Sequence, residues 1–466
     1  MSRFNGELPD GWRWSTLGAE FKWGSGGTPK STVPAYYDGG IPWAVIGDLN
    51  DGVVRATART ISDEGLRNSS AKWIDEGAIL IAMYGSIGKL GIAGNALTTN
   101  QAIAFTKPET VNPRYLFWYL RSIRSELTSL GKGGTQSNIS QTVIKSIPFP
   151  VAPCEVQDRI VEEIETQLAR LDDAVASLQR ARARLKRYRA SVLKAACEGR
   201  LVPTEAELAQ QEGRDYEPAS VLLDRIKADR ESSANGKRRK SKKAAPLDRS
   251  RMPELPGGWA WAKIAEIADV GTGATPLRSN KAFYDGGSVP WVTSGALNDD
   301  RVTEAREYVT SKALDETNLT LFPSGTLLIA MYGEGKTRGK CSELAIEAAT
   351  NQAIAAVVFD EASRPLKAMV KLFLASSYED MRRAASGGVQ PNLNLSIIKN
   401  IGVPIPPLCE QERIVEEAER RLTILDQVES AVGRNLKRAE TLRQSVLRSA
   451  FSGRRLQVEQ VAENLA

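Results

Sequence analysis

The 466 residues contain no histidine. That absence excludes the Ser-His-Asp triad, the HExxH zinc site and every nuclease whose base is an imidazole. Catalysis would have to run on carboxylates, lysine, cysteine or a cofactor. Cysteine is scarce as well: Cys154, Cys197, Cys341 and Cys409 lie far apart with no CxxC pair. Such thiols read as reduced residues of a cytoplasmic protein, not as a disulfide framework. No apolar run approaches the ~20 residues that span a bilayer, and Met1 to Gly27 holds no signal-peptide core.

What is present is charge and repetition. A hydrophobic share of 42% and a charged share of 25% are those of a soluble globular chain, here long enough for two or three domains. A net charge of +6 permits a polyanionic partner without demanding one. From Cys154 to Gly199 there is no proline and no internal glycine. Apolar residues recur at Ile160, Ile164, Leu168, Leu171, Val175, Leu178, Leu185 and Val192, in steps of three, four and their sums. That pattern predicts one long amphipathic helix with a coiled-coil seam. Acids (Glu155, Asp158, Glu162) open it and bases (Arg184, Lys186, Arg187) close it, as the helix dipole favours. Cys409 to Gly453 repeats the design, with apolar residues at Ile414, Leu422, Leu425, Val432, Leu436, Leu442 and Val446. Paired antiparallel, each acidic end meets a basic end; paired parallel, like meets like.

The repetition extends to almost the whole chain. Leu8-Pro9-Asp10-Gly11-Trp12-Arg13-Trp14 returns as Leu255-Pro256-Gly257-Gly258-Trp259-Ala260-Trp261. Thr28-Pro29 returns as Thr275-Pro276, Tyr37-Asp38-Gly39-Gly40 as Tyr284-Asp285-Gly286-Gly287, and Pro42-Trp43 as Pro290-Trp291. Asn100-Gln101-Ala102-Ile103 returns as Asn351-Gln352-Ala353-Ile354, and Cys154-Glu155 is matched with Cys409-Glu410. Each half thus reads as a strand-rich globular domain followed by a long helix. Runs such as Ala78 to Met83 and Gln101 to Phe105 read as strands, and Pro113 to Leu130 as a helix repeated at Pro365 to Ala385. Between the halves, Val221 to Arg230 reads as a short helix capped by Ser220. Residues 232–251 form a basic linker, either a solvated tether or a segment that brushes phosphates.

Few motifs carry chemistry. Gly333-Glu334-Gly335-Lys336-Thr337 imitates the end of a phosphate-binding loop, but its first glycine is missing and Ser86-Ile87-Gly88-Lys89-Leu90 lacks the hydroxyl. Asp315, Glu334 and Lys336 could imitate a nuclease metal site, which the first half does not reproduce. No NPPY-like or DPPY-like run of an adenine methyltransferase occurs. The repeated tryptophans, in their Pro and Gly surroundings, read as core more readily than as base-stacking platforms. More telling are the polar residues that differ around shared words, for two modules reading different base sequences need one scaffold with different loops. The candidate contacts in the first half are Lys30, Ser31, Asn50, Tyr84, Ser86, Lys89, Gln136 and Asn138. In the second they are Arg278, Asn280, Asn298, Tyr332, Lys336, Arg338, Lys340, Gln390 and Asn392.

On these words the chain resembles the specificity subunit of type I restriction–modification systems. The Leu-Pro-x-Gly-Trp-x-Trp openings, the Thr-Pro…Tyr-Asp-Gly-Gly…Pro-Trp stretch, the Asn-Gln-Ala-Ile strand, the Pro-rich helix entry and the Glu217-Pro218-Ala219-Ser220 spacer carry the likeness, from Leu8 to Leu456. One departure is Val156, which separates Glu155 from Gln157 where Glu410 and Gln411 are adjacent. The resemblance implies an α+β protein: two α/β target-recognition domains (residues 1–153 and 253–407) and two long antiparallel coiled-coil helices (154–199 and 408–453). A spacer (200–252) and a tail (454–466) complete a pseudo-twofold, nearly circular molecule. It implies that each domain reads one half of a bipartite double-stranded DNA site. The helices would set the spacing and dock two modification subunits that bring S-adenosylmethionine, and restriction subunits could join. No cofactor, metal or catalysis is expected in this chain. The rival readings are a metal-dependent nuclease and a non-specific coiled-coil DNA-binding scaffold.

Overall fold

The apolar run at Ile79–Ala82 is buried on both faces, and it sets the architecture of the first domain. In this computed structural model, which describes residues 8–131, 138–232, 252–332, 337–384 and 393–451, that strand is the centre of a five-stranded sheet. The order is Gly24–Ser25, Ile103–Thr106, Ile79–Ala82, Leu90–Ala93, Val53–Val54. Ile79 and Ile81 face a helical layer that includes Tyr115, Leu116 and Leu120. Leu80 and Ala82 face a second cluster with Ala44, Leu49 and Leu97. A strand covered on both sides needs no polar alternation, so a continuous apolar run results. A second sheet, Thr60–Ile61, Tyr37–Ala44, Thr98–Thr99, carries the Pro-Trp motif.

The second domain repeats this plan. Leu327–Ala330 is central in Asp269–Thr272, Ile354–Val358, Leu327–Ala330, Cys341–Leu344, Arg301–Val302. Its side chains again alternate between two clusters, Leu327 and Ile329 in one, Leu328 and Ala330 in the other. The expected helix at Pro113 to Leu130 is two helices, Pro113–Ser122 and Arg124–Leu130, broken at Ile123. Its repeat is likewise Lys367–Ser376 and Tyr378–Ala384.

The openings of the two halves form antiparallel ribbons, Arg13–Thr16 with Pro148–Val151 and Ala260–Lys263 with Gly402–Ile405. Before each ribbon, Trp12 N donates to Pro9 O and Trp259 N to Pro256 O, closing turns whose Gly11 and Gly258 have φ of 82° and 83°. A glycine suits that left-handed position. This accounts for the repeated Pro-x-Gly-Trp.

Two uninterrupted helices follow, Cys154–Cys197 and Leu408–Ala450. The chain divides into two compact units. One joins the first domain to the first helix through Arg180 and the second helix from Val432 onward. The other holds residues 181–431. In the first unit Val161, Ile164 and Leu168 share a cluster with Leu447 and Ala450, and Asp172 pairs with Arg443. In the second, Val192 and Ala196 share one with Ile414 and Ala418, while Arg189 pairs with Asp426 and with Glu429 at 3.2 Å. Numbers rise on one helix as they fall on the other, so the pairing is antiparallel with acid against base. The residues expected on the seam are all buried or half-buried: Ile160, Ile164, Leu168, Leu171, Val175, Leu178 and Leu185, and Ile414, Leu422, Leu425, Val432 and Leu436. Ala418 and Ala439 are buried with them.

The structure corrects the matching of the helix starts. Gln157 and Gln411 both donate to the carbonyl five residues earlier, Ala152 O and Pro406 O, each at 2.8 Å. The glutamines are therefore equivalent, and Val156 stands where Glu410 does; Cys154 answers to Leu408, not to Cys409. The helix expected from Val221 begins at Ala219, ahead of Ser220, because Pro218 precedes it and Ala219 N donates to Gly258 O at 2.8 Å. Ser220 is thus inside the helix rather than its cap. This helix, Ala219–Ser232, packs Leu222, Leu223 and Ile226 into the second domain's core. Its Arg230, 6% exposed, pairs with Asp360 and with Asp269 at 3.0 Å.

Candidate nucleic-acid interface

The words that the two halves share build one frame, twice. Trp43 Nε1 donates to Gly27 O at 3.0 Å, and Trp291 Nε1 to Ala274 O at 3.2 Å. The Tyr37 hydroxyl donates to Pro29 O and the Tyr284 hydroxyl to Pro276 O, both at 2.6 Å. Thr28 bonds Gln101 and Thr275 bonds Gln352 through their side chains. Asn100 Oδ1 and Asn351 Oδ1 accept from Ala102 N and Ala353 N at 3.1 Å, shaping the Asn-Gln turns. A side chain on Gly26 or Gly273 would meet the carbonyl oxygen of Thr99 or Thr350 at 2.0 and 1.7 Å, so only glycine allows that approach. Thr-Pro, Tyr-Asp-Gly-Gly, Pro-Trp and Asn-Gln are thereby one hydrogen-bonded rim.

The candidate contacts fall on or beside this rim. Lys30 and Ser31 are exposed in the turn after Pro29, and Arg278 is exposed at the matching place after Pro276. Tyr84, 42% exposed, bridges to exposed Asn138, and Ser86 lies exposed beside it. Tyr332, 39% exposed, holds the same place in the second domain. Other candidates are engaged by the scaffold. Lys89 Nζ donates to Ile46 O at 3.2 Å, and Lys340 Nζ to Asn298 Oδ1 at 2.9 Å. Asn50 Oδ1 accepts from Gly52 N at 3.0 Å, and Asn280 caps a short 3-10 turn by accepting from Ala282 N. Arg338 is half-buried, with its Nε enclosed. Gln136, Lys336, Gln390 and Asn392 lie outside the described residues, as do Glu334 and positions 233–251 of the basic linker, whose first residue, Ser232, instead ends the helix Ala219–Ser232. Asp315 sits in the helix Ser311–Glu316. Among the described residues no group of three His, Cys, Asp or Glu is placed to hold a metal ion. No helix among them is long and apolar enough to cross a membrane.

The tryptophans are mixed. Trp43, Trp259 and Trp291 are buried at 3%, 8% and 2%, but Trp14 is 37% exposed. One residue that sequence reading missed is Arg59. Its guanidinium lies 5.2 Å from the Tyr37 ring centre and 5.3 Å from that of Trp43. Nothing in the local sequence signals a contact that strand pairing creates.

Comparison with known proteins follows the same division. The profile of the type I restriction modification DNA specificity domain matches residues 9–181 and again 256–431. The chain is 25% identical over 385 residues to the specificity subunit of the type I restriction enzyme EcoDI of Escherichia coli, covering 81% of this chain and 78% of that one. To the EcoKI specificity subunit of E. coli K12 it is 24% identical over 476 residues, covering 96% and 90%. A chain from a type I restriction–modification assembly superposes with a TM-score of 0.66 at 17% identity, covering 96% of this chain and 98% of that one. The HsdS subunit of Thermoanaerobacter tengcongensis does so at 0.56 and 17%, covering 97% and 100%. Those two likenesses establish the fold.

Proposed function

Since this chain belongs to the type I restriction–modification DNA specificity family, we propose that it supplies recognition and scaffolding while the chemistry resides in its partners. The chain is a DNA specificity subunit whose two domains read a bipartite site. The observation that carries the finer reading is one hydrogen-bonded rim built twice with different polar residues upon it. In this reading Lys30, Ser31, Tyr84, Ser86 and Asn138 meet the first half-site, and Arg278 and Tyr332 the second. The long helices set the distance between half-sites and dock two modification subunits. S-adenosylmethionine is held by the modification subunits, and the complex works in the cytoplasm.

Labelled methyl transfer tests this. The purified chain alone should transfer no methyl group to DNA, and adding its modification subunit should produce adenine methylation at a two-part site. Methyl transfer by the isolated chain, or metal-dependent nicking by it, would overturn the assignment of chemistry to the partners.

A further inference from the structure

The two domains hold an arginine over the same pair of rings, but from different places in the chain. Arg59 lies over Tyr37 and Trp43, and Arg278 over Tyr284 and Trp291 at 5.1 and 4.9 Å. Arg59 precedes the strand Thr60–Ile61, and its carbonyl accepts from Trp43 N at 3.1 Å. Arg278 comes instead from the turn after Pro276. In the second domain Trp291 is paired with Glu307, so Glu307 occupies the place of Arg59. Ser31 in turn occupies the place of Arg278. Glu307 takes up its arginine, with Arg278 Nη1 to Oε2 at 2.6 Å. Among the described residues Arg59 has no carboxylate partner, and it is exposed.

The frame beneath repeats the same tyrosine, tryptophan and threonine hydrogen bonds, yet its upper surface differs in sign. An open fork of donors stands in one domain, and a neutralised arginine with a carboxylate acceptor in the other. A phosphate contact would serve both domains equally, because every half-site has phosphates. A donor exchanged for an acceptor is what reading different bases requires. Its place against the two rings also restrains the guanidinium, so that less freedom is lost when its fork meets a paired acceptor. Resting on the reading of each domain as the reader of one half-site, we propose that Arg59 reads a base of the first half-site through the paired N7 and O6 acceptors of a guanine. The Arg278–Glu307 pair answers a different base at the corresponding position of the second.

The test is methylation of a duplex library, randomised in both half-sites, by the full chain in complex with its modification subunit. Arg59→Ala should relax one guanine position of the first half-site, reducing discrimination there roughly 5- to 150-fold, and leave the second half-site intact. Arg59→Lys should behave like Arg59→Ala, since lysine keeps the charge but not the fork. Rescue by lysine, with alanine weakening all sequences evenly and flattening the salt dependence, would make Arg59 a phosphate contact and overturn the proposal. Unchanged specificity, or a change in the second half-site, would overturn it while leaving the domain reading intact. A wild-type complex with no two-part preference would instead bring down the domain reading and this inference with it.

Discussion

Glu410 is a fully buried carboxylate whose surroundings oppose its charge. Burial raises its pKa above the usual carboxylate value, and the donors Glu205 N at 2.8 Å and Trp259 Nε1 at 2.9 Å, with Arg413 nearby, pull only partly the other way. Glu205 beside it goes in the other direction. Burial raises its pKa, but Arg413 and Arg214 more than offset this and hold it low. For a group whose folded pKa is raised, proton binding favours the fold. That stability is present below the unfolded pKa and is lost as pH rises through the folded one. Glu410→Gln removes the titration but keeps a single acceptor oxygen, so either Glu205 N or Trp259 Nε1, which bind different carboxylate oxygens, loses its partner at every pH. Against that constant loss, the wild type should lose its lead in urea midpoint over the variant as pH rises from below the ordinary carboxylate range to neutral. A wild-type lead that grows with pH instead would mean that the Arg413 attraction outweighs burial. The first domain avoids the problem, because Val156 stands at this place.

At the scale of elements, each recognition domain is closed by the end of the long helix that does not follow it in sequence. Phe451, 6% exposed, meets Tyr115 and Tyr119 edge-on at 5.1 and 5.4 Å in the first unit. In the second unit Cys197 fills the equivalent place among Met369, Leu372 and Phe373. Burial pushes that thiol up to about 12, so it behaves as a small apolar group. Phe451→Ala should lower stability by ~3–5 kcal/mol and Cys197→Ala by about 1 kcal/mol, read from denaturant unfolding of the full chain. Equal losses would show that the two closures are not alike. Much of this architecture was legible in the sequence. The three-four periodicity marked the helices, and the duplicated apolar runs at Ile79–Ala82 and Leu327–Ala330 marked the sheet centres. What escaped was whatever depends on distant packing. Ala418 and Ala439 complete the seam, yet alanine is not an apolar signal. The break at Ile123 follows from the fold, not from a proline or glycine. Arg59 gained its aromatic neighbours only through the pairing of Pro42 with Thr60. At the rim, Thr-Pro and Asn-Gln were visible as repeated words, but the hydrogen bonds that make them a frame were not.

For the whole molecule, the helices are the expected ruler between the half-sites. Removing one heptad from each shortens each by roughly 10 Å and nearly preserves the face of the seam. A doubly shortened chain that still assembles with its modification subunit should methylate sites with fewer spacer base pairs and unaltered half-sites. An unchanged spacer in an active variant would assign the spacing elsewhere. The paired closures carry a different consequence, for exchange of parts. A first domain transplanted into the second position would bring Tyr115 and Tyr119 to a helix end that offers a thiol instead of a phenyl ring, leaving a hole the size of that ring. The reverse transplant would press Phe451 against Met369 and Phe373, into space shaped for a cysteine. Recognition domains of this chain are therefore interchangeable only as sets, in which residue 197 or residue 451 travels with the domain it seals.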